Sequence, residues 1–139
     1  MARKIFVNLP IKDMERSKAF FTALGFSLNP QFSNEKGACM VISEDIYAML
    51  LTEPFFQTFT KKPVSDGKST EVLLCLSCES RAEVDDLVKK AVAAGGRTAN
   101  APQDHGFMYG HGFEDPDGHG WELMWMDMAA APSTPAKDC

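Results

Sequence analysis

Glu122 stands in an alternating run, Gly-Trp-Glu-Leu-Met-Trp, that follows the turn Asp115-Pro116-Asp117-Gly118. A carboxylate placed there could act as a general base, ligate a cation, or recognise a cationic ligand. As a strand, the run puts Trp121, Leu123 and Trp125 on one face and Glu122 with Met124 on the other. His105, His111 and His119 are the only histidines, and all lie in the second half of the chain. His119 and Glu122 are three residues apart, so in a strand they face opposite ways and cannot share an ion. His105 and His111 flank Gly-Phe-Met-Tyr-Gly. With Tyr109 they either reach a cavity mouth or serve as surface turn residues. Asp115-x-Asp117-Gly118 looks briefly like a calcium loop, but its glycine comes too early and Glu122 falls short of the twelfth position. The turn therefore reads as structural: proline presets φ, glycine accepts positive φ, and the aspartates bond nearby amides.

Four cysteines add no metal or disulfide framework. Cys75 and Cys78 have CxxC spacing inside a strand, which puts them on opposite faces and keeps them from chelating one ion. With Cys39 in another strand and Cys139 at the end, they read as free thiols of a reducing, cytoplasmic protein.

The elements that must position these residues follow from periodicity. "KIFVNLPI" alternates as a strand. Asp13 caps "MERSKAFFTAL", whose Met14, Phe21 and Leu24 share a helical face with Phe20 adjoining, and Gly25 stops it. "FSLNPQF", "GACMVIS" and "IYAMLLT" are three strand candidates. The order then repeats. "TEVLLCLSC" is a strand, and Ser80 with Glu83 forms a capping box. The helix behind it carries Val84, Leu87, Val88, Ala91 and Val92 on one face and ends at Gly95-Gly96. "RTANAPQ", "FMYGHGFE" and "GWELMWMD" supply three more strands. The chain thus divides into a βαβββ module over 1–52, a connection over 53–69, a second module over 70–127, and a tail over 128–139 that reads as disordered. Phe55, Phe56 and Phe59 in the connection lid a cavity, meet a partner subunit, or fill a gap between the modules.

The 139 residues suit one domain, with 45% hydrophobic and 24% charged residues as in an ordinary globular protein. A net charge of −5 argues against a nucleic-acid partner. "MARKIFVNLP" has no apolar signal core, and nowhere do about 18 apolar residues run together as a membrane span requires.

Three stretches resemble the vicinal oxygen chelate superfamily of glyoxalase I, bleomycin-resistance proteins and extradiol dioxygenases. They are "VNLPIKDMERSKAFFTALGF", "EVLLCLSCESRAEVDDLVKKAVAAGG" and "FEDPDGHGWELMW", spanning roughly residues 4 to 127 in the family's order. The resemblance implies an α+β fold of two βαβββ modules whose curved mixed sheets enclose a cavity. Metal-using members place one ligand on the first and last strand of each module. Those positions fall near Phe6, Leu50, Leu73 and Glu122, so only Glu122 retains a ligand type. A single carboxylate does not repay a divalent ion's lost hydration, so no metal or other cofactor is expected.

The resulting expectation is a glyoxalase/bleomycin-resistance-like protein of unassigned substrate. It binds a small molecule, cationic or aromatic, in a largely metal-free cavity lined by Phe6, Asn8, Leu50, Leu73, Cys75, Glu122 and Met124, and a homodimer encloses the pocket. The alternative is a lyase or isomerase (lactoylglutathione-lyase-like) or a dioxygenase-like enzyme. Glu122 is then the base or a residual metal ligand, assisted by Tyr109 or His105. A third reading is a structural protein whose cavity is filled by its own side chains. For Glu122 four explanations stay open: a hydrogen bond to Asn8 or Tyr109, a general base, a cation anchor, or an exposed position.

Overall fold

The computed structural model describes residues 3–98, 100–127 and 129. Apart from Ala129, the tail expected from residue 128 onwards lies outside them. The first module comprises β1 (Ile5–Ile11), α1 (Met14–Ala23), β2 (Ser27–Asn29), β3 (Gly37–Val41) and β4 (Ile46–Thr52). After α2 (Glu53–Phe56) and a 3₁₀ turn over Gln57–Phe59, the second repeats the order. It contains β5 (Leu73–Ser77), α3 (Arg81–Ala93), β6 (Gln103–Asp104), β7 (Met108–Glu114) and β8 (Gly120–Met126). Each module forms a four-stranded mixed sheet, ordered β1-β4-β3-β2 and β5-β8-β7-β6. In each, the first strand runs parallel to the last, because the helix between them is the crossover that a parallel pair requires.

The helix ends follow local chemistry. Asp13 accepts from Arg16 N at 3.1 Å, and Ser80 accepts from Glu83 N at 3.0 Å. Glu83 reaches back to the Glu79 amide at 2.6 Å, one residue ahead of the usual capping-box partner. Gly25 and Gly95 end the two helices at φ +102° and +110°, where a side chain would be strained. Two expected strands are cut short by proline, which cannot donate to a ladder. β2 stops at Asn29, because Pro30 opens a 3₁₀ turn that the Asn29 side chain caps. "RTANAPQ" contributes only a bridge from Arg97 to Glu114 and the two residues of β6, with Pro102 between them.

One core joins the modules. The inner faces of β1, β4 and β8, with α1 and α3, bury Leu9, Leu50, Phe20, Phe21, Val84 and Trp121, among others. Phe21 meets Trp121 edge-on at 5.5 Å, and Phe20 packs on Phe113 at 5.9 Å. These contacts cross between modules, and aromatic pairs of this kind hold together beyond their buried area. α2 packs against β1 and β4, which places Phe55 over Leu51 and Gly37 on the first sheet, while Phe59 stays exposed. The sheets therefore share their inner faces, and their outer faces point away from the common core. They do not close on one another within the chain.

The turn Asp115–Gly118 locks the second module onto the first. Asp117 accepts from Lys12 N at 2.9 Å, Arg16 Nη2 at 3.2 Å and Ser17 Oγ at 3.1 Å, all at the start of α1. Its side chain is only 4% exposed, so water cannot replace these donors. Asp117→Ala should therefore cost about 2–3 kcal/mol in urea unfolding, or roughly 5–10 °C in Tm, with Asp117→Asn losing less. A loss below about 0.5 kcal/mol, the range of ordinary surface substitutions, would show the docking to be dispensable.

Candidate functional site

Strand pairing decides which side chains can meet. In the second sheet Leu73 pairs with Gly120, Cys75 with Glu122, and Gly112 with Glu122 from the other side. Partners in register share a face, so Leu73, Cys75, Gly110, Gly112, Glu122 and Met124 all lie on the outer face. Trp121 and Leu123 point the other way and are buried. The outer face forms the floor of a cavity of about 790 Å³, rimmed by Asn100, Gln103, His105 and Phe107. That volume lies within the range of small-molecule sites.

Glu122 is exposed at the centre of this floor. Among the described residues no Lys, Arg or His side chain pairs with it. Within the chain Asn8 lies on the other sheet and Tyr109 on the opposite face, so neither hydrogen bond expected for Glu122 is made. The floor beside it is bare backbone. A Cβ at Gly112 would sit 2.9 Å from the Trp121 carbonyl and 3.6 Å from Glu122 Cγ, and one at Gly120 only 2.6 Å from Leu73 Cδ2. Sequence reasoning passed over these glycines, although glycine recurring inside a strand signals a close approach.

Two expected positions need correction. Leu50 is fully buried in the core and does not line a cavity. It pairs with Leu9, on the inner face, whereas Asn8 on the outer face pairs with Met49. A one-residue slip in register inverts a strand's faces, and the apolar run "AMLL" hides which residue points where. Because Asn8↔Met49 repeats Cys75↔Glu122, Met49 is the first module's counterpart of Glu122.

Tyr109 also faces away from Glu122. It pairs with Trp125 on the inner side, and its hydroxyl donates to Asp85 Oδ1 at 2.6 Å. That bond, with some desolvation, raises its pKa above the ordinary tyrosine value, so it is no acid for the outer face. Its even spacing from the buried Phe113 already carried this signal. Arg81 lies over the rings of Tyr109 (5.3 Å) and Trp125 (5.0 Å). The same side chain binds Asp104 and the Gly106 carbonyl, both at 2.7 Å, and so fixes the loop that carries His105.

Within one chain Phe6 and Asn8 do not share a pocket with Glu122. They occupy the outer face of the first sheet, where the 51% exposed Phe6 stacks on Tyr47 at 4.7 Å. The cavity is lined by second-module residues alone. Leu73, Cys75, Glu122 and Met124 are brought together there, with His105 on the rim. His111 sits within β7 and not in a turn, with Nε2 2.9 Å from the Asn100 carbonyl.

The donor set at the four strand positions is thus Phe6, Met49, Leu73 and Glu122. Two hydrocarbons, a thioether and one carboxylate do not fit a divalent cation. Among the described residues no group of three or more His, Cys, Asp or Glu could hold a metal ion. No helix among them is long and apolar enough to cross a membrane.

Cys75 and Cys78 differ in the way their faces demand. Cys75 is exposed on the cavity floor, while Cys78 packs against the core. Burial, with help from Glu83, pushes the Cys78 thiol up to about 11. At pH 8 its thiolate is scarce, so iodoacetamide should alkylate Cys75 at least about tenfold faster, as followed by peptide mass spectrometry. Equal rates would contradict this placement of the two thiols.

The family model described as the glyoxalase/bleomycin resistance protein/dioxygenase superfamily matches residues 5–123. A hypothetical protein from S. aureus is similar at 30% identity, over 90% of this chain and 95% of that one, with a TM-score of 0.76. A glyoxalase/bleomycin resistance protein/dioxygenase family enzyme from Burkholderia phytofirmans shares the fold at 19% identity, over 90% and 99% of the two chains, with a TM-score of 0.75. So does the bleomycin resistance determinant encoded on the transposon Tn5, at 18% identity over 91% and 100%, with a TM-score of 0.64. No curated protein matches the chain. With a family model running through both modules, the chain belongs to the glyoxalase/bleomycin resistance protein/dioxygenase superfamily.

Proposed function

We propose that this protein binds a small molecule on the outer face of its second sheet, with Glu122 as the anchor for a cationic group. The observation that carries this reading is a carboxylate with no cationic partner among the described residues, at the centre of a cavity of about 790 Å³. Around it stand Leu73, Met108, Phe107 and Met124, which offer apolar surface to the rest of a ligand. A cation would neutralise Glu122 in surroundings less polar than water, where the attraction is stronger.

The open side of the site is supplied, in this reading, by a second copy of the chain. Phe6 and Leu73 are 51% and 61% exposed, an arrangement a soluble monomer gains nothing from. Laying the first sheet of one copy over the second sheet of the other would cover both. It would also bring the Phe6–Tyr47 stack and Asn8 over the Glu122 floor, and an aromatic face suits a cationic or aromatic ligand. A reaction with Glu122 as base is less well supported. Tyr109 faces the opposite way, and His105 on the rim is the remaining candidate relay.

The test is a thermal-shift screen of aromatic amines, each paired with its neutral isostere, followed by calorimetry on the hits. Glu122→Gln should weaken the cationic member by about tenfold, near 1.4 kcal/mol, and leave its neutral partner and the fold unchanged. Bound ligand should also shield Cys75 from alkylation. Equal affinity for wild type and variant, or binding that leaves Cys75 reactive, would overturn the assignment.

A further inference from the structure

His119 is the buried titratable group that the binding site does not use. It is 6% exposed, and both ring nitrogens are engaged at 2.6 Å. Nε2 meets the carbonyl of Pro10 in β1, and Nδ1 meets Glu71 Oε1 just ahead of β5. A carbonyl and a carboxylate both accept hydrogen bonds, whereas a neutral imidazole has one N–H to give. Both bonds form together only if the ring donates twice. The Glu71 side chain keeps 35% of its surface in contact with water, so the shared proton belongs on the ring.

Three strands are tied at this one side chain. His119 immediately precedes β8, which carries Glu122. Glu71 lies two residues before β5, which carries Leu73 and Cys75. Pro10 belongs to the other module. We infer that His119 is a positioning residue: as an imidazolium it pins the starts of β5 and β8 to β1, so the geometry around Glu122 depends on its protonation.

The charges that face the ring come from every side. Glu71 approaches from the segment before β5. Asp115 comes from the turn, and β1 presents the Pro10 carbonyl. Burial alone would push the imidazole down. The Asp115 carboxylate, the Pro10 carbonyl and Glu71 more than offset it, and His119 titrates above the ordinary histidine value. A folded pKa above the unfolded one gives stability that is fully present below about pH 6.5 and is lost as pH rises through the folded value. Asp115 is also raised, chiefly by burial, although His119 and the donors from Trp121, His119 and Asp117 pull it back. Its contribution fades from about pH 4 upwards, a window that begins well below that of His119.

The experiment is a proton and nitrogen NMR titration of the intact chain from pH 5.5 to 9, beside Glu71→Gln. In the wild type, His119 should carry protons on both nitrogens at pH 7. The amides of Cys75 and Gly112, which flank Glu122 on neighbouring strands, should move with the same midpoint. Glutamine at position 71 can donate to Nδ1, so the variant should accept a neutral ring, with the histidine and cavity midpoints falling together. Tm should decline by several degrees across this range in the wild type and stay flatter in the variant. A singly protonated ring at pH 7 overturns the inference. So does a titration that leaves Cys75 and Gly112 unmoved, or a midpoint indifferent to Glu71→Gln. If the variant does not fold, the wild-type titration decides by itself.

Discussion

The fold depends on how five residues, Asp115 to His119, meet the other module. Asp115 closes the turn by accepting from the amides of Asp117 and His119 and from Trp121 Nε1 at 3.1 Å. Asp117 then reaches the first turn of α1, and His119 reaches β1 and the approach to β5. The links to the first module cross large gaps in sequence, such as the 109 positions that separate His119 from Pro10. Ordering so long a loop costs entropy that no local propensity repays. The aromatic core contributes to the return through Trp121, which is both the last residue that Asp115 fixes and the ring on which Phe21 and Phe113 pack. The same anchoring sets the phase of β8. With Trp121 turned inwards, Glu122 has no choice but to face out.

That alternation divides the labour of the second sheet. Its inner face is committed to packing: Tyr109 to Asp85, Trp125 to Arg81, Trp121 and Leu123 to the core. The outer face carries glycines and medium apolar side chains, which leave room above the backbone, and a carboxylate whose charge no side chain among the described residues balances. An uncompensated anion among apolar groups does nothing for stability. Its presence on a face otherwise free of structural duties is what directs attention to binding.

Much of this was legible in the sequence because it was local. The Asp13 and Ser80 caps, most of each helical face and the β8 alternation depend on residues a few positions apart and appear where their patterns put them, except that Val92, expected on the buried face of α3, is exposed at its edge. The doubling of βαβββ followed from the same patterns read twice. What stayed hidden was non-local. Leu50 and Met49 are adjacent apolar residues, and only pairing with β1 tells which one faces out. Tyr109 was drawn towards the cavity by its chemistry, whereas its true partner, Asp85, sits on the far side of the sheet in α3. His119 gave no hint at all, since nothing near residue 119 announces the Pro10 carbonyl.

The internal repeat also shows how the two modules have parted. Superimposing their registers aligns Phe6 with Leu73, Asn8 with Cys75, Tyr47 with Gly120 and Met49 with Glu122. One outer face is therefore aromatic and uncharged, and the other is open, glycine-floored and acidic. Two acidic faces laid together would repel, and two aromatic faces would leave Glu122 without a role. In the proposed assembly each face meets the other kind, and a two-fold axis produces that pairing twice from a single chain. In that proposed assembly, divergence between the halves would let one chain supply both an aromatic roof and a charged floor.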